Sequence, residues 1–192
     1  MLTLFMAPGS SSFAPHIALR EVGAEFELRP LSFARKEHQS AAYRAINPEG
    51  KVPTLLVEGR PLTEVAGILF YLARRYPAAR LMPDGLEDQA QVISWMSFIA
   101  ATVHPARRQG IDHARGIFGL AEQRLGDARW CVGDTYSIAD IHLFRLFWRF
   151  RNALKPDDAE FPRLLAHHDR VMLRPAVKQT IAVESDIGYE LP

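Results

Sequence analysis

One cysteine, Cys131, stands in 192 residues. That count excludes an internal disulfide, a CxxC redox pair and a cysteine-built metal centre, so no metal is expected. Charge of one sign is also lacking: 23 Lys and Arg against 22 Asp and Glu leave a net charge of +1, too weak a field to hold a phosphate backbone, and nucleic acid is not expected as a partner. No apolar run approaches the length that spans a bilayer. The opening "MLTLFMAPG" has neither the basic leader nor the long apolar stretch of a secretory signal, so no membrane partner is expected and the cytoplasm is the expected location. Repeats and low-complexity segments are missing as well. What is there is ordinary globular material, 48% hydrophobic and 23% charged, enough to bury a core in one domain or two small ones.

The pattern changes near residue 80. "LTLFM" (Leu2 to Met6) has strand length, and "HIALREVG" carries helical spacing until Gly23 stops it. "EFELRPL" alternates and contains Pro30, which cannot donate a ladder hydrogen bond, so it predicts an edge strand. "TLLVEGRPL" predicts a hairpin about Glu58 and Gly59, and "EVAGILFYLARRYP" a helix closed by Pro77. The order is β α β, a short ordered piece, then β β α, a thioredoxin-like pattern.

Beyond Pro83 strand signals vanish. Asp84 is placed to cap a long helix through "EDQAQVISWMSFIAATVH", with Val92, Trp95, Met96 and Ile99 inward and Pro105 kinking or ending it. Further helices are predicted at Asp112 to Leu125, Ile138 to Phe150, Phe161 to Leu173 and Pro175 to Val183. The expected architecture is α/β plus all-α: a thioredoxin-like domain over 1–78, a linker over 79–85 rich in Pro and Gly, and a C-terminal helical bundle domain over 86–192.

Three motifs carry the functional signal. In "INPEGKVPTLL" (Ile46 to Leu56), Val52 precedes Pro53 between a turn and a strand, where a cis bond can persist. In "LTEVAGILFYL" (Leu62 to Leu72), Glu64 and Val65 open a helix whose free N–H groups and dipole favour an anion; Glu64 itself also suits a first-turn acid. In "VGDTYSIADI" (Val132 to Ile141), Ser137 and Asp140 form a capping-box pattern with Tyr136 and Ile141 as a staple, which we assign to folding.

Together, and in this order along nearly the whole chain, the motifs resemble the soluble glutathione transferases; the N-terminal loop and the His104 region are most similar to bacterial beta-class members. The resemblance implies glutathione as co-substrate, a detoxification-type transfer to a small apolar electrophile in a cleft between the domains, and a homodimer. It places glutathione on Ser10, Lys51, Val52, Pro53, Glu64 and Val65: the Val52 backbone pairs with the cysteinyl part, the first turn at Glu64 and Val65 takes the γ-glutamyl end, and Lys51 suits the glycyl carboxylate. Val65 stands where a serine is usual, which removes one hydroxyl donor and implies weaker tripeptide binding.

The run "PGSSSFAPH" then acquires a meaning. No GxSxG elbow is present, since Phe13 occupies the place of the second glycine counted from Ser11, so a serine hydrolase is not expected. A hydroxyl at a helix N-terminus can instead donate to a thiolate that the ligand brings, a thiol whose reference pKa is about 8.5. Ser11 falls where beta-class enzymes carry a cysteine and Ser12 where theta-like enzymes carry their serine; Ser11 is the first candidate and Ser12 the second. Met6 stands where a strand tyrosine would otherwise help. Plain turn and cap roles suit the same serines.

His104 matches a beta-class histidine set across that cleft, with an ordinary pKa near neutrality fit to orient or protonate a substrate group. Phe13, Arg107 and Arg108 are the remaining expected electrophile residues. Arg145, Arg149 and Arg151 around Trp148 imitate a nucleic-acid stripe that the net charge disfavours, and His167, His168 and Asp169 point in different directions along a helix, against a shared metal. Two other functions stay open: a non-catalytic glutathione-binding or scaffold protein, favoured by Val65, and a glutathione-dependent disulfide or peroxide reductase, disfavoured by the missing N-terminal cysteine.

Overall fold

A five-residue apolar run makes the central strand of the first unit. In the computed structural model, which describes residues 1–190, β1 (Leu2–Met6) is flanked by β2 (Phe26–Pro30) and β3 (Thr54–Val57), and β4 (Arg60–Thr63) closes the sheet in the order β2-β1-β3-β4. β1 and β2 are parallel, joined through the helix α1 (Phe13–Glu21); β3 is antiparallel to both β1 and β4. Leu2, Thr3, Leu4 and Met6 are all buried, the near-continuous burial of a strand covered on both faces. Pro30 sits at the end of the edge strand, opposite Met6, where its missing N–H costs no ladder bond to a further strand. Glu58 and Gly59 both have positive φ (51° and 82°), the requirement of a tight two-residue hairpin turn.

A short helix α2 (Ala41–Arg44) precedes β3, and α3 (Val65–Arg75) follows β4, completing the thioredoxin-like order. Ile68, Leu69 and Leu72 of α3 and Ile17 and Leu19 of α1 are fully buried, each adding about 1.5–3 kcal/mol of transfer free energy.

The second unit is helical: α4 (Leu86–Phe98), α5 (Ile111–Leu125), α6 (Ile138–Leu154) and α7 (Pro162–Met172). The cap of α4 is Gly85, one residue past the expected Asp84. Val92, Trp95, Met96 and Ile99 are buried as the spacing predicts. The helix does not run on to Pro105: it widens into a π turn at Ile99–Val103 and tightens into a 3-10 stretch at His104–Gln109. Proline supplies no N–H for an α-helical bond to Ala101, and a widened turn ahead of it accommodates the loss. Ser137 caps α6 in a full capping box with Asp140.

The two compact units divide between Tyr76 and Pro77, and the first also takes the described residues from Pro175 on, whereas the boundaries expected from the sequence are 1–78, 79–85 and 86–192. Segment 79–85 is no free linker: Leu81 is buried and its carbonyl accepts the Ile138 N–H at 3.0 Å, fastening it to the second unit. The last helix, α8 (Pro175–Ile187), packs on α1 in the first unit, because its buried Glu184 bonds there.

Candidate functional site

The loop from Pro8 to Ser12 leads from β1 into α1, and its three hydroxyls do different things. The buried Ser12 Oγ accepts the Ala7 N–H at 3.1 Å, donates to the Ala7 carbonyl at 3.1 Å and lies 2.7 Å from Ser10 Oγ. Ser10 Oγ in turn accepts the Ser12 N–H at 3.2 Å. These two serines close the loop on itself, and Ser12 makes no side-chain cap bond to α1 although it occupies the N-cap position. Ser11 is partly exposed, and among the described residues no hydrogen bond engages its hydroxyl. Met6, in place of a tyrosine, is fully buried and takes no part. Phe13 is corrected: its ring is fully buried, so it packs in the protein and does not line a site open to a ligand.

The bond between Val52 and Pro53 is cis. The turn before it is pinned by residues that the sequence reasoning passed over. Tyr43 Oη donates to the Lys51 carbonyl at 2.6 Å and lies 2.8 Å from Thr54 Oγ1, while Asn47 Nδ2 donates to the same carbonyl at 2.8 Å. Asn47 stood in the quoted motif as a residue before proline, a turn signal; Tyr43 gave none. Lys51 Nζ is exposed and pairs with Glu49 at 2.8 Å. Glu64 is exposed, adopts φ 65° and begins α3. Such a backbone costs about 1–3 kcal/mol at a residue other than glycine and gathers at functional turns. The first helical bond runs from the Ile68 N–H to the Glu64 carbonyl, so the N–H groups of Val65, Ala66 and Gly67 precede the helical ladder, a setting suited to an anion. Val65 itself is buried, its side chain part of the core.

In the second unit His104, Arg107 and Arg108, on the 3-10 stretch, border a cavity of about 240 Å³ together with Arg145 and Arg149 of α6. His104 keeps an exposed surface, yet its imidazole is lowered to about 4, first by the protein packed around it and then by the charges of Arg145, Arg108 and Arg149. The expectation of a charged proton donor near neutrality is corrected accordingly: the ring is neutral at pH 7, with one nitrogen to accept a hydrogen bond and one N–H to donate one. Arg145 and Arg149 belong to this cavity, while Arg151 faces Asp158 at 3.4 Å and Asp169 at 3.8 Å, so the three do not form a stripe.

Cys131, Asp140 and His167 bring ligand-type atoms within 4.8 Å of one another. The Asp140 oxygens are already engaged: Oδ1 accepts from Cys131 N–H at 2.7 Å and from His167 Nε2 at 2.9 Å, Oδ2 from Ser137 N–H and O–H at 2.8 and 3.0 Å. Burial and then Asp140 push the Cys131 thiol well up. The group is a helix cap, in keeping with the folding role assigned to the motif.

The first unit is thus a thioredoxin-like sheet with a cis-proline turn and an open helix N-terminus, and the second is helical. Family models for the N-terminal domain and the C-terminal domain of glutathione S-transferases match residues 1–74 and 111–182. The chain belongs to the glutathione S-transferase family. It is 30% identical to glutathione S-transferase GstA of Escherichia coli O157:H7, over 95% of this chain and 98% of that protein. It is 33% identical to a maleylacetoacetate isomerase of Pseudomonas aeruginosa, over 88% and 90%. A sphingomonad glutathione S-transferase solved in complex with glutathione superposes with a TM-score of 0.85 at 32% identity, covering 95% of this chain and 98% of that one.

Proposed function

We propose that the protein is a glutathione transferase that joins the glutathione thiolate to an electrophilic carbon of a small, largely apolar substrate. The observation that carries this reading is Ser11: of three serines at the mouth of α1, two are consumed by the loop and the partly exposed one is left for a ligand. Glutathione is held by the first unit, its γ-glutamyl end at the first turn of α3 with Glu64 and Val65, its cysteinyl backbone on Val52 beside Pro53, and its glycyl carboxylate on Lys51, which exchanges Glu49 for it. Ser10 supports the loop and Ser12 fixes the turn. Ser11 donates to the sulfur, and the helix N-terminus adds its partial positive charge, lowering the thiol pKa.

In the reaction the sulfur's electron pair forms a C–S bond, the bond to the leaving group breaks and that group departs with its electrons; the thiol proton has already passed to solvent. His104, neutral at pH 7, orients the electrophile and does not protonate it. The likeness to a transferase solved with glutathione supports the co-substrate, and the family supports a cytoplasmic homodimer.

The test is conjugation of 1-chloro-2,4-dinitrobenzene by the protein and by Ser11→Ala and Ser12→Ala. Loss of about a hundredfold in kcat/KM in Ser11→Ala, the scale of one donor to a developing or bound anion, with glutathione binding retained, is expected. An unchanged rate in Ser11→Ala overturns the assignment. A scaffold that only binds glutathione is favoured by one observation, the apolar buried Val65 in place of a hydroxyl donor; binding without conjugation of any electrophile is its signature.

A further inference from the structure

Helix α2 is four residues long, too short to hold itself, and Tyr43 is its buried residue. The ring packs tilted against Phe5 of β1, with centroids 5.4 Å apart, and a phenylalanine would do as much. The hydroxyl has a separate task. Tyr43 has one phenolic proton and the Lys51 carbonyl, 2.6 Å away, can only accept, so that proton lies between them. Thr54 Oγ1, 2.8 Å from the same phenolic oxygen, therefore donates to Tyr43. Asn47 closes the ring of bonds: its Oδ1 accepts the Glu49 N–H at 3.2 Å, which leaves Nδ2 to donate to the Lys51 carbonyl at 2.8 Å and to Thr54 Oγ1 at 3.1 Å. Each proton has one place, and the three side chains are buried. Burial also raises the Tyr43 phenol above its ordinary value, so the donor keeps its proton.

Two donors on one carbonyl fix more than the carbonyl. The peptide between Lys51 and Val52 is trans and planar, so its C=O and N–H point in opposite directions. With the oxygen held against Tyr43 and Asn47, the Val52 N–H is aimed away from that buried ring, and among the described residues no hydrogen bond engages it. Accepting two bonds also polarises the peptide and strengthens its N–H as a donor.

We propose that Tyr43 is a positioning residue for glutathione: its hydroxyl, together with the Asn47 amide, sets the plane of the Lys51–Val52 peptide so that the Val52 N–H meets the cysteinyl carbonyl. This rests on the reading of Val52 as the backbone that pairs with glutathione; the ring of hydrogen bonds stands without it. Tyr43 touches no reacting atom, so its loss weakens binding and leaves the chemical step at saturating glutathione nearly unchanged.

The test compares the parent with Tyr43→Phe, which keeps the ring against Phe5, and with Thr54→Val, which breaks the same ring of bonds but keeps both donors on the Lys51 carbonyl. Glutathione affinity is measured by calorimetry, the Val52 amide proton by NMR with and without glutathione, and kcat and the glutathione KM with 1-chloro-2,4-dinitrobenzene. Tyr43→Phe is expected to weaken glutathione about tenfold, the scale of one hydrogen bond, and to shrink the shift that glutathione induces in the Val52 amide proton. KM rises with it while kcat stays within about twofold, and Thr54→Val weakens binding by no more than about twofold. An equal loss of affinity in both variants, or a Val52 shift that Tyr43→Phe leaves as in the parent, overturns the inference and leaves the glutathione reading standing. So does a parent that binds glutathione without moving the Val52 amide proton, whatever the variants do. A parent that binds no glutathione overturns that reading, and this inference with it.

Discussion

His16 Nδ1 lies 2.8 Å from Glu184 Oε1, with both side chains fully buried and the two residues 168 positions apart in the chain. The other Glu184 oxygen accepts the N–H of Gly9 at 2.7 Å, and Arg20 Nε donates to His16 Nε2 at 3.2 Å. With Nε2 accepting, the imidazole is the neutral tautomer with its proton on Nδ1, donating to the carboxylate. One glutamate from α8 thereby ties together α1 and the serine loop. Glu184→Ala strands two buried donors and is expected to cost about 2–6 kcal/mol, read as a fall of about 2–4 °C in Tm per kcal/mol. A Tm unchanged in Glu184→Ala would mean that α8 does not hold the first unit together.

Ser11 and Ser12 separate chemistry from folding. Ser12→Ala leaves the Ala7 N–H buried without its acceptor and is expected to lower stability by about 1–3 kcal/mol in urea unfolding. Ser11→Ala is expected to stay within about 0.5 kcal/mol of the parent, because it removes no bond to the protein.

Acid is expected to destabilise the fold below neutrality. Unfolded histidines take up protons near pH 6.5, whereas His104 and the buried His142 do so only near 4 and 3, and His168 is lowered by its burial as well. Over that interval the unfolded chain binds more protons, so stability falls as pH is lowered through it and is unaffected by these groups above about pH 7. Urea unfolding from about pH 7 to about pH 4.5 should show this slope, and His142→Phe should make it shallower. A slope that His142→Phe leaves unchanged would remove that residue from the explanation.

Asp140 satisfies four donors inside the second unit, so Asp140→Ala is expected to cost about 3–5 kcal/mol. Thiol reagents should meet Cys131 slowly in the native parent and quickly in this variant, because burial and the carboxylate hold the thiol protonated. Rapid labelling of the native parent would contradict that burial.

The sheet was legible because each strand announces itself locally: an apolar run at Leu2 to Met6, a proline at the edge, a two-residue turn at Glu58 and Gly59. The helices of the second unit were legible from the spacing of Val92, Trp95, Met96 and Ile99, and the capping box from Ser137 and Asp140 alone. The separate roles of Ser10, Ser11 and Ser12 were not, because which hydroxyl the loop consumes depends on how Ala7 folds back over it. The place of α8 was hidden for a different reason: Glu184 meets His16 only through the tertiary fold, and nothing near either residue encodes the other. The arginine cavity lay between these cases. Arg145 and Arg149 had helical spacing in the sequence, but their convergence with Arg107 and Arg108 depends on the turn that the chain takes around Pro105.

The most direct test of thiol activation is a pH titration of glutathione bound to the protein, following thiolate absorbance and binding heat together. Activation by Ser11 and the α1 N-terminus predicts a bound thiol pKa well below the free reference of about 8.5, restored towards it in Ser11→Ala. Glutathione that binds with an unshifted thiol would contradict it.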